Sequence, residues 1–219
     1  MDFSFLGKYY QYFLKGTGIT IVLAICAVII GTVLGLTLTL LRRSRFKIVS
    51  LLAKIYVEFV RGTPILVQIY IIYIGLPKLI GIDMPDITVG AIALSLNSGA
   101  YISEIIRAGI DAVDKGQMEA ARSLGMNQRL AMFQVVIPQA FKNILPALGN
   151  EFISVVKESS MVSVIGVAEL MYNAGIVRGN TALGLEPVIV AAGLYFILTF
   201  TLTRGLGYIE RRMKASDIR

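Results

Sequence analysis

The chain has 219 residues, of which 56% are hydrophobic and 16% are charged, with a mean hydropathy of +0.73 and a formal net charge of +7. Soluble domains carry roughly 25% charged residues, so this composition excludes an ordinary soluble domain and predicts a membrane protein. There is no histidine and one cysteine, Cys26. This excludes an intrachain disulfide, Ser-His-Asp or Cys-His catalysis and histidine-ligated metal sites, and we expect no metal.

Five stretches predict membrane-spanning helices, at about residues 18–41, 51–76, 88–107, 141–165 and 187–208. The first is uncharged from Gly16 to Leu41, and about 20 apolar residues are enough to cross a bilayer. Its length and the lack of a cleavage site argue against a removable signal peptide. Only the first and last stretches are clean hydropathy signals, because charged residues interrupt the middle three. We predict an all-α membrane protein with five transmembrane helices in a single domain over residues 1–219.

The basic residues divide unevenly between the two sides of the predicted membrane. Fifteen of the 21 lie in the segments 42–54, 107–142 and 204–219, which share one side, and four lie on the other. Cytoplasmic segments are enriched in Lys and Arg, so the N-terminus is predicted outside and the C-terminus in the cytoplasm. This bias explains the net charge without a nucleic-acid partner.

A polar interval, EAARSLGMNQRLAMF at 119–133, separates the third and fourth predicted spans. Residues 117–124 are mostly helix formers, Gly125 suits the left-handed residue that closes a helix, and Asn127 can cap a second helix over 128–136. A plain surface helix is the alternative. A helix-turn-helix motif that binds DNA is a further alternative, but a segment tethered to the bilayer on both sides cannot easily enter a DNA groove.

This interval carries a family resemblance. EAARSLG, followed by IPQA at Ile137 to Ala140, resembles the EAA loop of permease subunits of ATP-binding-cassette (ABC) importers, with isoleucine replacing the leucine that precedes the family's proline. VEFVRGTPILVQ, GAYISEIIRAGI and NEFISVVKESSMVSVIG resemble the branch that takes up polar amino acids. The resemblance covers nearly the whole chain, in order and at natural spacing.

The resemblance implies that the chain lies in the bacterial inner membrane and works with a set of partners. They are a second permease subunit, identical or related, two cytoplasmic ATPase subunits, an extracytoplasmic binding protein and a polar amino acid as substrate. The loop at about 115–138 then resembles a coupling helix that docks in the ATPase. The residues assigned to this docking are Glu119, Ala120, Ala121, Arg122 and Gly125.

ATP hydrolysis is expected on another polypeptide. The chain has no GxxxxGK[ST] phosphate-binding loop, so we expect it to bind no cofactor and not to be an enzyme by itself, with ATP and magnesium on the partner ATPase. A secondary transporter or channel subunit that is not driven by ATP is the alternative class.

Polar residues recur at helical spacing in the three middle spans. A charge at mid-bilayer costs on the order of 3 kcal/mol and normally faces a partner or water, so three polar stripes can face one aqueous path. The candidate substrate contacts are Arg61, Thr63, Gln68, Asn97, Ser98, Tyr101, Glu151 and Ser154. A zwitterion needs one cationic and one anionic partner, and Arg61 and Glu151 are the deepest of each sign.

Fixed structural ion pairs are the alternative interpretation of the same charges. In that case Arg61 and Lys157 neutralise carboxylates within the spans and leave none for a substrate. The carboxylates concerned are Glu58, Glu104, Glu151 and Glu158.

The tripeptide Gly62-Thr63-Pro64 predicts a break in the second span. Pro64 has no N–H to bond the carbonyl of Val60, and its ring crowds that carbonyl. Broken helices are tolerated where they line a cavity, and transporters use them. Pro64→Ala is then expected to restore the bond to Val60 and straighten the span, and a plain packing kink is the alternative.

Overall fold

A computed structural model describes the backbone of residues 1–215 and the side chains of residues 1–213, and within these limits every regular element is helical. Of the basic residues counted above, Arg219 lies outside these limits, and so does the side chain of Lys214. The predicted all-helical class is confirmed for the described part of the chain.

The α-helices, numbered in chain order, are connected mostly by short turns. They are α1 Leu6–Arg42, α2 Lys47–Gly62, α3 Ile65–Ile80, α4 Asp86–Asp111, α5 Lys115–Ser123, α6 Gln128–Ala131, α7 Ile137–Glu158, α8 Leu170–Thr181 and α9 Glu186–Ala215. A π-helical segment, Met132–Val136, joins α6 to α7, and a 3₁₀ helix, Ser159–Ile165, follows α7 directly.

Three of the described helices, α1, α4 and α9, are long and apolar enough to cross a membrane alone. Two bent pairs raise the number to five if each pair is one span: α2 with α3, bent by 116°, and the helical stretch through Ile165 with α8, bent by 49°. The prediction of five spans is the upper end of this range. The third span was expected to be an unclear signal because of its polar residues, but α4 qualifies by itself.

The first predicted span differs from the observed helix at its start. Helix α1 begins at Leu6 rather than near residue 18 and runs to Arg42 without interruption. At 1.5 Å per residue it is about 55 Å long, which exceeds the roughly 30 Å of the hydrocarbon core. Hydropathy missed the first turns because Lys8, Lys15 and several tyrosines dilute it, although they remain helical.

Helices α1 and α4 pack closely through two glycines of α1, Gly31 and Gly35. A Cβ atom built at Gly35 would lie 2.7 Å from Ile102 Cγ2, and one at Gly31 would lie 3.1 Å from Ser98 Cβ. Glycines four residues apart let helix backbones approach in membranes. This contact buries the side of α4 that carries Ser98 and Ile102, which are both 0% exposed.

Gly35→Leu is expected to lower the stability of the α1–α4 pair. Overpacking of a tight contact costs about 1–3 kcal/mol, so the thermal midpoint of the purified protein in detergent falls. Gly18→Leu is the matched control, because no atom lies within 4 Å of a Cβ at Gly18. Equal midpoints for the two variants would contradict the close approach.

The outer surfaces of the long helices are apolar. Ile29, Val33 and Phe196 are 61%, 62% and 66% exposed, whereas Leu23, Leu94 and Val156 lie in the main core. Exposed apolar surfaces of this extent mark contact with lipid or protein partners. The arrangement is that of a multi-pass membrane protein.

Candidate functional site

The break between α2 and α3 is present and is held by a buried side chain. Helix α2 ends at Gly62, and Thr63 and Pro64 are extended, with ψ of 147° and 137°. Gln68 Nε2 donates to the carbonyl oxygen of Val60 at 2.7 Å and to the carbonyl and hydroxyl oxygens of Thr63 at 3.0 Å each. The side chain of Gln68 thus replaces the backbone donor that Pro64 lacks.

A second amide supports this arrangement from α4. Asn97 Nδ2 donates to Gln68 Oε1 at 2.9 Å, and Gln68 and Asn97 are 6% and 3% exposed. Three predicted site residues, Thr63, Gln68 and Asn97, are therefore joined in one buried network whose contacts hold the break.

The expected effect of Pro64→Ala stays a prediction, and the fold adds a competing donor. The carbonyl of Val60 already accepts the Gln68 amide, and α2 and α3 meet at 116°, so straightening the pair would also require this hydrogen bond to be lost. The sequence indicated the missing backbone donor, but the side chain that satisfies the carbonyl depends on a contact eight residues further along the chain.

Gln68→Met is expected to destabilise the break. Methionine keeps the approximate shape but removes the donor for the Val60 and Thr63 oxygens and the acceptor for Asn97, and each buried group left unpaired costs about 1–3 kcal/mol. Thermal unfolding in detergent measures the loss, and Gln11→Met, at an exposed position, is the control. A midpoint equal to that of the control would show that the network does not support the fold.

Glu151 contacts α4 from α7. Ser98 Oγ donates to Glu151 Oε1 at 2.9 Å, and Glu151 itself is partly buried. Among the described residues Glu151 forms no ion pair. The described chain therefore contains no fixed cation that pairs with Glu151, as the predicted alternative requires, and its role as a substrate contact stays a prediction.

Arg61 lies at the end of α2 beside α4. Its guanidinium carbon is 5.6 Å from the ring centre of Tyr101, and its Nη1 is 3.9 Å from Glu104 Oε2. Glu104 is bound more closely by Arg42, at 2.7 Å, and also by Arg107. The alternative of a structural pair thus holds in part for Arg61, because it joins a cluster that other arginines already neutralise.

The remaining predicted contacts are distributed along the same helices. Ser98 and Tyr101, three residues apart on α4, contact Glu151 and Arg61 respectively, and residues three apart are neighbours on a helix surface. Within the described chain Arg61 and Glu151 form no direct ion pair. Ser154, Glu158 and Lys157 follow Glu151 on α7.

Sequence reasoning missed one buried acidic residue, Glu169, which is 0% exposed. Its Oε1 accepts the backbone N–H of Tyr172 at 2.7 Å, which caps α8, and its Oε2 accepts the hydroxyl of Tyr195 on α9 at 2.6 Å. Thr20 on α1 completes the set at 3.5 Å. The position of Glu169 directly before α8 was a weak signal in the sequence for a helix cap. Its contacts with α1 and α9 are visible only in the fold.

Tyr195→Phe is expected to loosen this junction. The change removes one donor to a buried carboxylate, and a hydrogen bond to a charged group contributes about 1.5–3 kcal/mol. The thermal midpoint in detergent should fall, whereas Tyr70→Phe, at a residue that is 42% exposed, should leave it unchanged. An unchanged midpoint for Tyr195→Phe would show that the hydrogen bond between Tyr195 and Glu169 does not stabilise the protein.

The predicted pair of short helices lies between α4 and α7. Gly125 has φ of +87° and its N–H bonds the carbonyl of Arg122, while the N–H of Met126 bonds that of Ala121. Asn127 Oδ1 then caps α6 by accepting the N–H of Leu130 at 2.9 Å. The predicted second helix over 128–136 is helical throughout, but it changes from α to π geometry at Met132 and continues into α7 instead of ending as a short helix.

One face of this segment is anchored and the other is free. Ala121 is 4% exposed, and Met118 packs on a cluster that includes Val136 and Ala140. Glu119, Ala120 and Arg122 are exposed, and Leu124 is 86% exposed. Leu124 was not among the predicted contacts, although its position inside the polar interval was a readable signal for an apolar contact residue.

The fold and the site together define a multi-pass helical membrane protein with a helix break held by a buried polar network and a polar helical segment that presents one exposed face. The family described as "Binding-protein-dependent transport system inner membrane component" matches residues 27–215. The chain belongs to this family, whose members are ABC permease subunits of the inner membrane with the ATPase on a separate subunit.

Two curated relatives match over nearly their full lengths. The "Arginine transport system permease protein ArtQ" of Bacillus subtilis (strain 168) is 43% identical over 220 residues, or 99% of each chain. The "Putative glutamine transport system permease protein GlnP" of Rickettsia bellii (strain RML369-C) is 44% identical over 205 residues, or 94% of each. The predicted resemblance to amino-acid ABC permeases is confirmed.

Solved structures agree with this assignment. A chain of "Crystal structure of an amino acid ABC transporter with histidines" superimposes with a TM-score of 0.93 at 49% identity, covering 97% of this chain and 99% of that one. A chain of the MetNI methionine ABC transporter gives 0.80 at 17% identity, with coverage of 97% and 99%, which shows the shared fold alone.

Proposed function

We propose that this chain forms half of the membrane permease of an ATP-driven importer for a polar amino acid. The observation that carries the proposal is the full-length match to permeases whose names specify arginine and glutamine transport. A second permease subunit, identical or related, completes the pathway. An extracytoplasmic protein delivers the substrate, and two ATPase subunits bind ATP and magnesium. A transporter that is not driven by ATP is disfavoured by the family match.

The segment from about 115 to 138 is the proposed coupling element. Its support is geometric: α5 is anchored on α7 through Met118, while Glu119, Arg122 and Leu124 point away from the protein. A charged surface around one exposed leucine suits a cleft on an ATPase, because a buried apolar anchor within a polar rim is typical of interface hot spots. The positive-inside bias supports a cytoplasmic location for this segment and for the C-terminus.

Glu151 is the proposed anionic contact for the substrate. Its carboxylate is unpaired by any cation in the described chain and is oriented by the buried hydroxyl of Ser98. Such a group attracts an α-ammonium, and a charge-assisted hydrogen bond is about twice as strong as a neutral one. Arg61 or backbone amides near the break then face the α-carboxylate, and Tyr101 keeps the guanidinium beside α4.

Purification from mild detergent tests the class. The expected result is a complex with a separate ATPase polypeptide that, once reconstituted with its binding protein, takes up a polar amino acid only when ATP is supplied. Uptake driven by an ion gradient without ATP would overturn the proposal. Competition among arginine, glutamine and other polar amino acids then defines the substrate.

A further inference from the structure

A basic pocket lies where α1 ends beside α2 and α4, with a volume of about 110 Å³. Its lining residues are Thr39, Arg42, Arg43, Lys54 and Arg107. Two carboxylates offset part of this charge: Glu104 binds Arg42 and Arg107, and Asp111 binds Arg107 at 2.8 Å and Arg43 at 3.8 Å. Four cations against two carboxylates leave a positive excess. Among the described residues Lys54 forms no ion pair.

An apolar groove adjoins this pocket and shares Thr39 and Arg43 with it. The groove has a volume of about 400 Å³ and lies between α1, α4 and α7, where its walls include Leu36, Ile110 and Phe141. The hydroxyl of Thr39, which lines both cavities, already donates a hydrogen bond to the carbonyl of Gly35 at 2.8 Å. The two cavities together present a charged end and a long apolar end.

The length of the groove matches one leaflet of a bilayer. It extends along α1 from Arg43 back to Thr32 and along α7 from Ile137 to Leu148, and both distances are about 16 Å at 1.5 Å per residue. Half of the roughly 30 Å hydrocarbon core is about 15 Å. A groove of this length can therefore hold one acyl chain between the headgroup depth at its basic end and the bilayer centre at its apolar end.

We propose that these two cavities form one binding site for an anionic phospholipid, with its phosphate in the basic pocket and one acyl chain in the groove. Arginine forks bind phosphate oxygens in pairs, and basic pockets between transmembrane helices bind anionic headgroups. The bilayer supplies this ligand at the required depth. A free phosphate leaves the apolar groove unfilled.

The site also links lipid to the proposed coupling element. Phe133 and Met132 line the groove, and both lie in the π-helical segment that directly follows α6. A bound acyl chain therefore contacts the connection between the docking segment and α7. This consequence rests on the proposed function, whereas lipid binding itself does not.

Native mass spectrometry of the full-length chain tests the inference. The detergent-purified chain is incubated with equal amounts of phosphatidylglycerol and phosphatidylethanolamine. We expect at least tenfold more phosphatidylglycerol to be retained, and no displacement by glycerol 3-phosphate at the same concentration. Equal retention of the two lipids would overturn the charged site. Displacement by glycerol 3-phosphate would assign the pocket to a soluble phosphate instead.

Variants at the charged end examine the basic pocket. Arg43→Gln combined with Lys54→Gln should reduce the retained phosphatidylglycerol about tenfold. The fold should survive, because Asp111 keeps its contact with Arg107. Lys8→Gln combined with Lys15→Gln removes the same charge near the opposite end of α1 and should change nothing. Equal losses in both double variants would show a general charge effect and overturn the site.

A variant at the apolar end separates a lipid from a protein occupant. Leu36→Trp fills the groove and should reduce phosphatidylglycerol retention several-fold, while Ile29→Trp, on an exposed part of α1 outside the groove, should not. Full retention in Leu36→Trp would overturn the assignment of the acyl chain. Dissociation of a dimer of this chain with lipid retention intact would assign the groove to a second copy.

Discussion

Gly125→Val is expected to abolish most ATP-driven uptake while leaving the chain folded and inserted in the membrane. Gly125 has φ of +87°, and a non-glycine residue in the left-handed region costs roughly 1–2 kcal/mol, with β-branched residues worst placed. No atom lies within 4 Å of a Cβ at this position. The strain is therefore in the backbone alone, and relieving it changes the angle at which α5 presents Leu124.

Measurement of uptake and of ATPase co-purification distinguishes coupling from folding. We expect normal yield of the valine variant, at least a tenfold fall in uptake and reduced recovery of the ATPase. Gly125→Asn is the matched control, because asparagine adopts positive φ more readily and should retain most activity. Wild-type uptake in the valine variant would refute the docking role of this segment.

Glu151→Gln is expected to weaken substrate engagement by about tenfold to a hundredfold. Glutamine keeps the shape and the acceptor for Ser98 but removes the negative charge. A lost hydrogen bond to a charged group is worth about 1.5–3 kcal/mol, which corresponds to this change in affinity. Because Glu151 is in no ion pair within the described chain, no cation is left unpaired, and assembly with the ATPase should persist.

The apparent affinity for the transported amino acid in proteoliposomes measures this effect, with recovery of the ATPase as the assembly readout. Glu58→Gln removes the same charge from an exposed position on α2 and serves as the control. A stable Glu151→Gln complex with wild-type apparent affinity would rule out contact with the substrate ammonium. A complex that fails to assemble would instead identify Glu151 as a structural residue.

The local features of the proposed coupling segment could be predicted from the sequence because they depend on neighbouring residues. The left-handed Gly125 and the Asn127 cap are set by contacts within five residues, and both are present. The break at Pro64 is local for the same reason, since proline lacks a backbone donor wherever it occurs. The long apolar stretches likewise predicted the membrane-crossing helices α1 and α9.

The candidate site residues could be chosen from the sequence by their polar type, but their partners in the fold could not be predicted, and their role at a site stays a prediction. Gln68 and Asn97 were interpreted as lining a path, whereas the fold directs their amides to each other and to Val60. Arg61 was interpreted as the cationic contact of a zwitterion or as half of an ion pair with an unspecified carboxylate, and it lies beside Tyr101 and Glu104. Helical spacing defines which residues share a face, but it contains no information on the rotation of one helix against another.

The sequence by itself determined the membrane class, the family, the break at Pro64 and the polar segment between α4 and α7, because composition, motif and backbone chemistry are properties of the chain. Only the tertiary structure decided which buried polar group meets which. Glu169 shows the reason, since its hydroxyl partners Thr20 and Tyr195 lie 149 and 26 residues away. The contact with Thr20 accompanies close packing of α1 on α8 at Gly16, where a Cβ would lie 2.8 Å from Leu170 Cα, and such contacts depend on distances that no local pattern records.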